Sequence, residues 1–218
     1  LAMPSVSIVS EKLSINHFIS SQTALTCNNK ILLRKKLDNI KDGKYSFGYS
    51  YIKNVSDVDD WNLFPAIIKP VDSQGQRGIS LVNNHSEIEK ALNIAVDNSS
   101  TKTAIIEEYV DGYEISINSY VVNSKPLFLF ITKRNSFVDY PGGIIKSHLY
   151  PAANNVDKQQ LNKLVNDVCL NFEINNGPVY FQIKINSKNI AKLIEVTPRL
   201  DGCHLWKFIK MLGGPDLF

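Results

Sequence analysis

A lysine at the end of an apolar stretch, with a glycine-bearing loop directly after it, is the first group of residues that could do chemistry. Lys69 ends the stretch, and the loop at residues 72–78 contains Ser73, Gly75 and Gly78. Glycine permits backbone conformations that aim successive N–H groups at one anion, and a lysine ammonium adds positive charge. The group therefore favours phosphate binding. An edge lysine beside a plain hairpin turn is the alternative.

Acidic side chains between residues 107 and 114 form the second group. Glu107 and Glu108 close an apolar run, and Glu114 lies at the apolar start of the next one. A strand that ends here offers backbone N–H and C=O groups to the edge of an adenine, while a carboxylate accepts hydrogen bonds from ribose hydroxyls. A solvated acidic strand end is the alternative for Glu107 and Glu108, but it explains Glu114 less well.

Oxygen-bearing side chains on two further predicted strands form the third group. Gln182 lies on one strand, and Glu195 and Thr197 share a face of the next, before Arg199. Such oxygens suit Mg²⁺, whose coordination is usually completed by phosphate oxygens. A structural ion pair of Glu195 with Arg199 or Lys184 is the alternative. In this order, the three groups supply what a nucleoside triphosphate needs.

Hydrophobic periodicity predicts the elements that must position these groups. Helices are expected at 22–40, from a capping box of Ser86 and Glu89 to about residue 96, at 157–172 and at 205–211. Strands are expected at 47–52, 66–69, 78–82, 103–107, 114–122, 127–132, 144–150, 178–185 and 190–196. Hairpins join most of these strands, which predicts an α+β fold rather than a parallel sheet with crossovers.

Composition excludes several classes of protein. The 218 residues carry a net charge of +3 without a basic run, which argues against nucleic-acid binding. The three cysteines have no CxxC spacing, so we expect neither a disulfide framework nor a zinc site, and we expect a cytoplasmic location. No apolar run approaches the about 20 residues of a membrane span, so no membrane partner is expected. Neither the P-loop nor the dinucleotide-binding pattern occurs.

Taken together, the segments resemble the ATP-grasp superfamily over roughly residues 14–212, in particular the branch of the carbamoyl-phosphate synthase large subunit. The resemblance implies two α+β lobes whose antiparallel sheets clamp ATP. It places a lead-in segment at residues 1–29, a small lobe at 30–114 and a large lobe with the metal site at 115–218. The lead-in would join a missing N-terminal domain of a longer chain, and a homodimer is possible.

The resemblance also implies a role for each matching position. For ATP these are Lys30 and Lys69 on the phosphates, Ser73, Gly75 and Gly78 in the loop above them, Glu107, Glu108 and Val110 around adenine, and Glu114 on the ribose. For Mg²⁺ they are Gln182, Glu195 and Thr197, and for catalysis Arg199 and Lys133. Many relatives have Asn where this chain has Thr197, which offers one hydroxyl oxygen with a shorter reach and no amide.

The function that the resemblance implies is an ATP-dependent ligase. ATP would activate a small-molecule carboxylate as an acyl phosphate, which an amine or thiol would then attack. A bicarbonate-activating domain of the carbamoyl-phosphate synthase kind is one alternative. A nucleotide-binding regulatory module without catalysis is the other.

Overall fold

Two antiparallel sheets organise the part of the chain that the structure describes, namely residues 2–73, 75–137, 144–152 and 156–217 of a computed structural model. The helices are α1 (Ala2–Lys12), α2 (Ser21–Asn28), α3 (Lys30–Asp38), α4 (Ile88–Asp97), α5 (Lys158–Asn171) and α6 (Leu205–Met211). The strands are β1 (Tyr49–Ile52), β2 (Ala66–Pro70), β3 (Ser80–Val82), β4 (Ala104–Glu108), β5 (Tyr113–Val122), β6 (Lys125–Pro126), β7 (Phe130–Ser136), β8 (Ile145–Leu149), β9 (Gly177–Ile185) and β10 (Ala191–Thr197).

The smaller sheet has the strand order β1-β4-β2-β3, and the larger sheet has the order β10-β9-β5-β7-β8, with β6 added beside β5. Every pairing is antiparallel. Strands adjacent in the sequence pair as β2 with β3, β7 with β8 and β9 with β10, whereas β1 with β4, β2 with β4 and β5 with β9 pair strands that helices separate. The α+β fold with two antiparallel sheets that the sequence predicts is therefore confirmed.

Each sheet buries one face in its own hydrophobic core. Helix α4 covers the smaller sheet through Ile88, Ala91 and Ala95. The larger core lies between the larger sheet and α5, where Leu164 and Val168 are fully buried. Alternation along each strand turns the other face of the larger sheet towards the cleft between the sheets.

The helix expected at 22–40 is two helices, because Asn29 interrupts it. Asn29 is the C-cap of α2 and the N-cap of α3, and its side chain accepts hydrogen bonds from the N–H groups of Ile31 and Leu32 at 3.0 and 3.1 Å. Asparagine is among the strongest N-cap residues, so one side chain both ends a turn and starts a helix. The prediction of one continuous helix was wrong, and the break places Lys30 at the start of α3.

Two other predicted boundaries are also wrong. Ser86 lies inside the short 3-10 turn His85–Glu87, which Asn84 caps, so Ser86 and Glu89 form no capping box. The strand expected at 127–132 is shifted to Phe130–Ser136, because the preceding residues pair as β6 or turn back onto β5.

Helix α3 packs with the larger sheet, although the expected small lobe begins at residue 30. Leu33 and Leu37 of α3 belong to the larger hydrophobic core, as do Ile40 and Tyr45 after it. The lead-in expected at 1–29 contains α1 and α2, whose Cys27 reaches the same core. The predicted division into lobes at residues 30 and 115 thus stays a prediction. By its packing, α3 belongs with the larger sheet.

None of the helices in the described ranges combines the length and the apolar character that crossing a bilayer requires.

The packing of α5 gives a direct test of the larger core. Leu164→Ala should lower the free energy of unfolding by about 2–5 kcal/mol, because it removes a fully buried side chain and leaves a cavity. Urea denaturation measures the change. Leu170→Ala, on the same helix but 67% exposed, is the control and should cost less than about 0.5 kcal/mol. Equal losses in both variants would contradict this packing.

Candidate active site

A cleft with a volume of about 110 Å³ lies where the ends of the two sheets face each other. The smaller sheet contributes Lys69, Glu107 and Glu108 to its lining, the segment after β4 contributes Tyr109 and Val110, and the larger sheet contributes Glu114 and Gln182. Phe47, Ile67, Ile79 and Ile194 add apolar surface. An apolar slot with a few convergent charged groups is the usual form of a small-molecule site.

Three rows of side chains cross the cleft-facing side of the larger sheet. In register, the rows contain Lys184, Glu114, Arg134 and His148, then Glu195, Gln182, Ser116 and Thr132, then Thr197, Tyr180, Asn118 and Phe130. The intervening residues of β5, such as Ile115 and Ile117, are buried in the core on the other side. Strand alternation alone therefore brings the predicted ribose and metal residues onto one surface.

Arg34 ties the two sheets together at the base of the cleft. Its Nε donates to Glu107 Oε1 at 2.9 Å, while its Nη1 and Nη2 donate to the carbonyl oxygens of Leu193 and Ile194 at 2.7 and 3.2 Å. The guanidinium is fully buried, and its carbon lies 4.7 Å from the centre of the Phe47 ring. Arginine suits this position because its planar group donates in several fixed directions and keeps its charge.

Glu107 accepts from a second cation, Lys69, whose Nζ lies 2.6 Å from Glu107 Oε2. Burial alone would raise the pKa of Glu107, but the charges of Arg34 and Lys69 outweigh burial and lower the pKa to about 2. The carboxylate is therefore ionised at neutral pH. Two cations share one anion, so this triad keeps a net charge of +1 beside the cleft.

Lys30 adds a third cation near the same end of β2. Its Nζ donates to the carbonyl oxygen of Ser73 at 2.7 Å, and its backbone N–H donates to Val71 at 2.9 Å. Burial and the charge of Lys69 lower the pKa of Lys30 to about 8, although Glu195, Glu107 and Asp72 oppose the shift. A bound polyanion would favour the protonated form, since an opposite charge stabilises an ammonium.

The glycine loop is anchored at its start and left-handed at its two glycines. Gly75 and Gly78 have φ of +70° and +73°, as the sequence argument required. A side chain at Gly78 would also come within 2.7 Å of Asn98 Cβ and 2.9 Å of Pro70 Cγ. Asp72, which the sequence did not single out, accepts from Ser99 Oγ at 2.8 Å and from the Thr101 N–H at 3.2 Å.

The segment after β4 is held from outside the cleft. The backbone N–H of Glu108 donates to Gly48 at 2.9 Å, and the Gly48 N–H donates to the Glu108 carboxylate at 3.0 Å. The N–H of Tyr109 donates to Pro65 at 2.9 Å. These bonds fix the course of the chain through Val110, which lines the cleft as the sequence predicts.

Glu114 is oriented by two side chains of its own sheet. Its Oε2 accepts from Arg134 Nη1 at 2.8 Å and from Gln182 Nε2 at 2.7 Å. The sequence missed Arg134 and named its neighbour Lys133 instead. Lys133 pairs with Ile115 and so lies on the core side of the sheet, over the Tyr113 ring at 6.0 Å. The structure therefore does not bring Lys133 to this surface, and the parity of β7 is the signal that would have chosen Arg134.

Glu195 and Gln182 are register partners, beside a bulge between Leu193 and Glu195. Thr197 Oγ1 donates to Glu195 Oε1 at 2.8 Å. Among the described residues, Glu195 makes no ion pair with Arg199 or Lys184 within 4.0 Å. The Arg199 guanidinium lies 5.5 Å from the Tyr180 ring centre, and its Nη1 donates to Leu200.

The oxygens of Glu195, Gln182 and Thr197 suit a hard cation, but they bring a single negative charge. Within the described ranges, no three His, Cys, Asp or Glu side chains cluster as a metal site. A divalent cation held here would therefore need further anionic oxygens, such as those of a phosphate. This donor set fits magnesium that arrives with a nucleotide.

Comparison with known proteins identifies the class. The family model described as "ATP-grasp domain" matches residues 62–206, so the chain belongs to the ATP-grasp family. The family recognised from the sequence is thus confirmed. Curated relatives include a D-alanine--D-alanine ligase of Fusobacterium nucleatum, 31% identical over 53% of this chain and 39% of that protein. A formate-dependent phosphoribosylglycinamide formyltransferase of Prochlorococcus marinus is 34% identical over 50% of this chain and 30% of that protein.

Solved structures share the fold at low sequence identity. An L-amino acid ligase from Bacillus licheniformis superposes with a TM-score of 0.73 at 18% identity, over 95% of this chain and 49% of that one. Biotin carboxylase from Campylobacter jejuni gives a TM-score of 0.76 at 15% identity, over 93% and 47%. The chain thus spans about half of these structures and between 30% and 39% of the two curated relatives.

Arg34 should be a main source of stability between the sheets. Arg34→Met should lower the free energy of unfolding by about 3–5 kcal/mol, because Glu107 loses one of its two cations and the carbonyl oxygens of Leu193 and Ile194 lose their donor. Urea denaturation measures the loss. Lys35→Met changes the exposed neighbour on α3 and should cost less than about 0.5 kcal/mol. An Arg34→Met protein as stable as the wild type would refute this role.

Glu107 should make the free energy of unfolding depend on pH. Its folded pKa lies below its unfolded value of about 4.3, so its ionised form contributes stability above that pH and loses it as the pH falls towards about 2. Urea denaturation of the wild type and Glu107→Gln between pH 6 and pH 3 should give a difference that shrinks with falling pH. The exposed Glu89→Gln is the control. A difference that stays constant would contradict the assigned ion pairs.

Proposed function

We propose that this chain is the ATP-grasp portion of an ATP-dependent carboxylate–amine ligase. One observation carries the proposal. Lys30, at the start of a helix that packs on the larger sheet, lies near Lys69, Glu107 and Glu195, so two cations suited to phosphate lie beside a carboxylate suited to a metal ion. The D-alanine--D-alanine ligase among the curated relatives supports the reaction class.

The segment at 108–110 would bind adenine through its backbone, and Glu114 would accept hydrogen bonds from the ribose. Arg134 and Gln182 hold the Glu114 carboxylate in place. A carboxylate with fixed orientation binds a diol without first losing conformational freedom.

The triphosphate would lie between Lys30, Lys69 and the glycine loop. Lys69 is paired with Glu107, but the triad with Arg34 keeps its net positive charge. Charge-assisted hydrogen bonds to phosphate oxygens contribute about 1.5–3 kcal/mol each. Glu195, Gln182 and Thr197 would hold Mg²⁺, which supplies positive charge to the phosphate oxygens when it is bound.

The reaction would proceed in two substitutions. A carboxylate oxygen of the first substrate attacks the γ-phosphorus, the bond to the β-phosphate oxygen breaks, and ADP leaves. The amine nitrogen of the second substrate then attacks the carbonyl carbon and loses a proton, and phosphate leaves. Arg199 would stabilise the charge on the transferred phosphoryl group. Catalysis of this kind rests on positioning and electrostatics.

The wider setting is also a proposal. The enzyme would act on small molecules in the cytoplasm, and a further domain of the same longer chain would complete the substrate pocket. We also propose that two copies of the protein form a homodimer. The bicarbonate-activating alternative differs in its product, so product analysis distinguishes it from the ligase.

Calorimetric titration of ATP with and without Mg²⁺ tests the nucleotide site. Lys69→Ala should weaken ATP binding by about 10- to 100-fold, because one charge-assisted contact is lost. Glu195→Gln should remove most of the magnesium dependence. Lys90→Ala, an exposed lysine on α4, is the control and should bind like the wild type.

The outcomes separate the competing functions. Magnesium-dependent binding that weakens in both site variants supports the ligase, and ATP turnover that requires an added carboxylate would complete the case. Tight binding indifferent to magnesium and to Glu195 would favour the regulatory module. No binding by a folded wild type would overturn the proposal.

A further inference from the structure

The guanidinium of Arg199 is held by an aromatic ring instead of a carboxylate. Its carbon lies 5.5 Å from the centre of the Tyr180 ring, within the distance of about 6 Å over which a ring face attracts a cation. Among the described residues, no carboxylate lies within 4.0 Å of Arg199. Within that part of the chain, no acidic side chain therefore neutralises the charge of Arg199.

The two other arginines beside the cleft are paired with carboxylates. Arg34 donates to Glu107 at 2.9 Å, and Arg134 donates to Glu114 at 2.8 Å. A carboxylate fixes a guanidinium, but it also occupies N–H donors and offsets the charge. A ring face attracts the same cation and leaves the N–H groups at the edge of the guanidinium available. A ring thus fixes an arginine that still has to bind an anion.

The backbone brings Arg199 to the ring. Tyr180 on β9 is the register partner of Thr197, the last residue of β10. After this strand end the chain turns back, and the backbone N–H of Arg199 donates to the carbonyl oxygen of Thr197 at 2.9 Å. Arg199 Nη1 donates to the carbonyl oxygen of Leu200 at 2.8 Å, which takes one of the five N–H donors of the guanidinium.

The ring of Tyr180 is itself fixed in the sheet. Tyr180 is 5% exposed, and its hydroxyl lies 3.3 Å from the Oγ of the fully buried Ser116. Burial raises the pKa of Tyr180, so the phenol stays neutral near pH 7. The attraction for Arg199 therefore comes from the ring face and not from a phenolate charge. The ring is in place before any ligand binds.

The ring and the guanidinium adjoin the oxygens that suit magnesium. Thr197, the register partner of Tyr180, donates to Glu195 at 2.8 Å, and Glu195 is the register partner of Gln182. Arg199 follows Thr197 by two residues. A phosphoryl group that arrives with magnesium at these oxygens would therefore lie beside the guanidinium.

We propose that Tyr180 is a positioning residue for phosphoryl transfer. Its ring directs the Arg199 guanidinium towards the phosphoryl group in transfer and leaves the positive charge of Arg199 for the phosphoryl oxygens. Such oxygens carry the negative charge of the transition state, and a cation already in position stabilises it. The inference rests on the proposed ligase function, and it adds a residue that acts through Arg199.

Calorimetric titration of ADP and Mg²⁺, with and without aluminium fluoride, tests this role, because the fluoride complex imitates a phosphoryl group in transfer. The measured quantity is the gain in ADP affinity that the fluoride gives. Tyr180→Leu removes the ring and should reduce this gain by about 5- to 30-fold. Its affinity for ADP alone should stay within about twofold of the wild type. Tyr180→Phe keeps the ring and should retain the gain.

A double-mutant cycle shows whether the ring acts through the guanidinium. Arg199→Met should also lose the gain, and Tyr180→Leu added to Arg199→Met should reduce it by less than about twofold more. Tyr120→Leu, at a half-buried tyrosine of β5, is the control and should keep the wild-type gain. Tyr180→Met replaces Tyr180→Leu if the latter folds poorly. A merely structural role for Tyr180 would weaken ADP binding with and without fluoride alike.

Three results would overturn the inference alone, with ADP binding by the wild type intact. The wild type gains no affinity from aluminium fluoride, or Tyr180→Leu keeps the full gain, or Tyr180→Phe loses as much as Tyr180→Leu. A folded wild type that binds no nucleotide would instead overturn the proposed function, and the inference with it.

Discussion

The buried guanidinium of Arg34 is the interaction on which the rest of the site depends. It donates to a carboxylate of the smaller sheet and to two carbonyl oxygens of the larger sheet, one of them at the bulge just before Glu195. A buried charge is tolerable only with such complete pairing. The same bonds orient Glu107, which in turn pairs with Lys69. The side chain of Arg34 thus fixes the position of Lys69 relative to the strand that carries Glu195.

In the larger sheet, alternate side chains of each strand lie on opposite faces, one in the hydrophobic core and one towards the cleft. One side of β5 and β9 is a continuous aliphatic core against α5, and the other presents rows of mostly polar side chains, each row drawn from four strands. Because register is fixed by that core, a shift of one residue would exchange the two sides. The positions of the cleft-lining side chains thus depend on the packing of the opposite face of the sheet against α5.

Local pattern was sufficient for most of the strands, α5 and the glycine loop, since periodicity and turn chemistry act within a few residues. Local pattern could not predict contacts between segments that are distant in the sequence. Arg34 was unremarkable in a leucine-rich helix because its partners lie 73 and 159 residues away. Asp72 likewise acquires its role from Ser99, which only the fold brings near. Lys133 was named because the family resemblance implies a cation at its position, whereas its pairing with Ile115 places it on the core side of the sheet.

The anchoring of Asp72 has a consequence for the entropy of nucleotide capture. Side-chain and backbone donors from the segment after α4 hold Asp72, so the chain is already fixed where the glycine loop departs from β2. Asp72 therefore needs no further ordering when the glycines that follow it meet phosphate. Each residue ordered on binding costs about 1–2 kcal/mol, so the hydrogen bonds from Ser99 and Thr101 remove this cost at Asp72 before the nucleotide arrives.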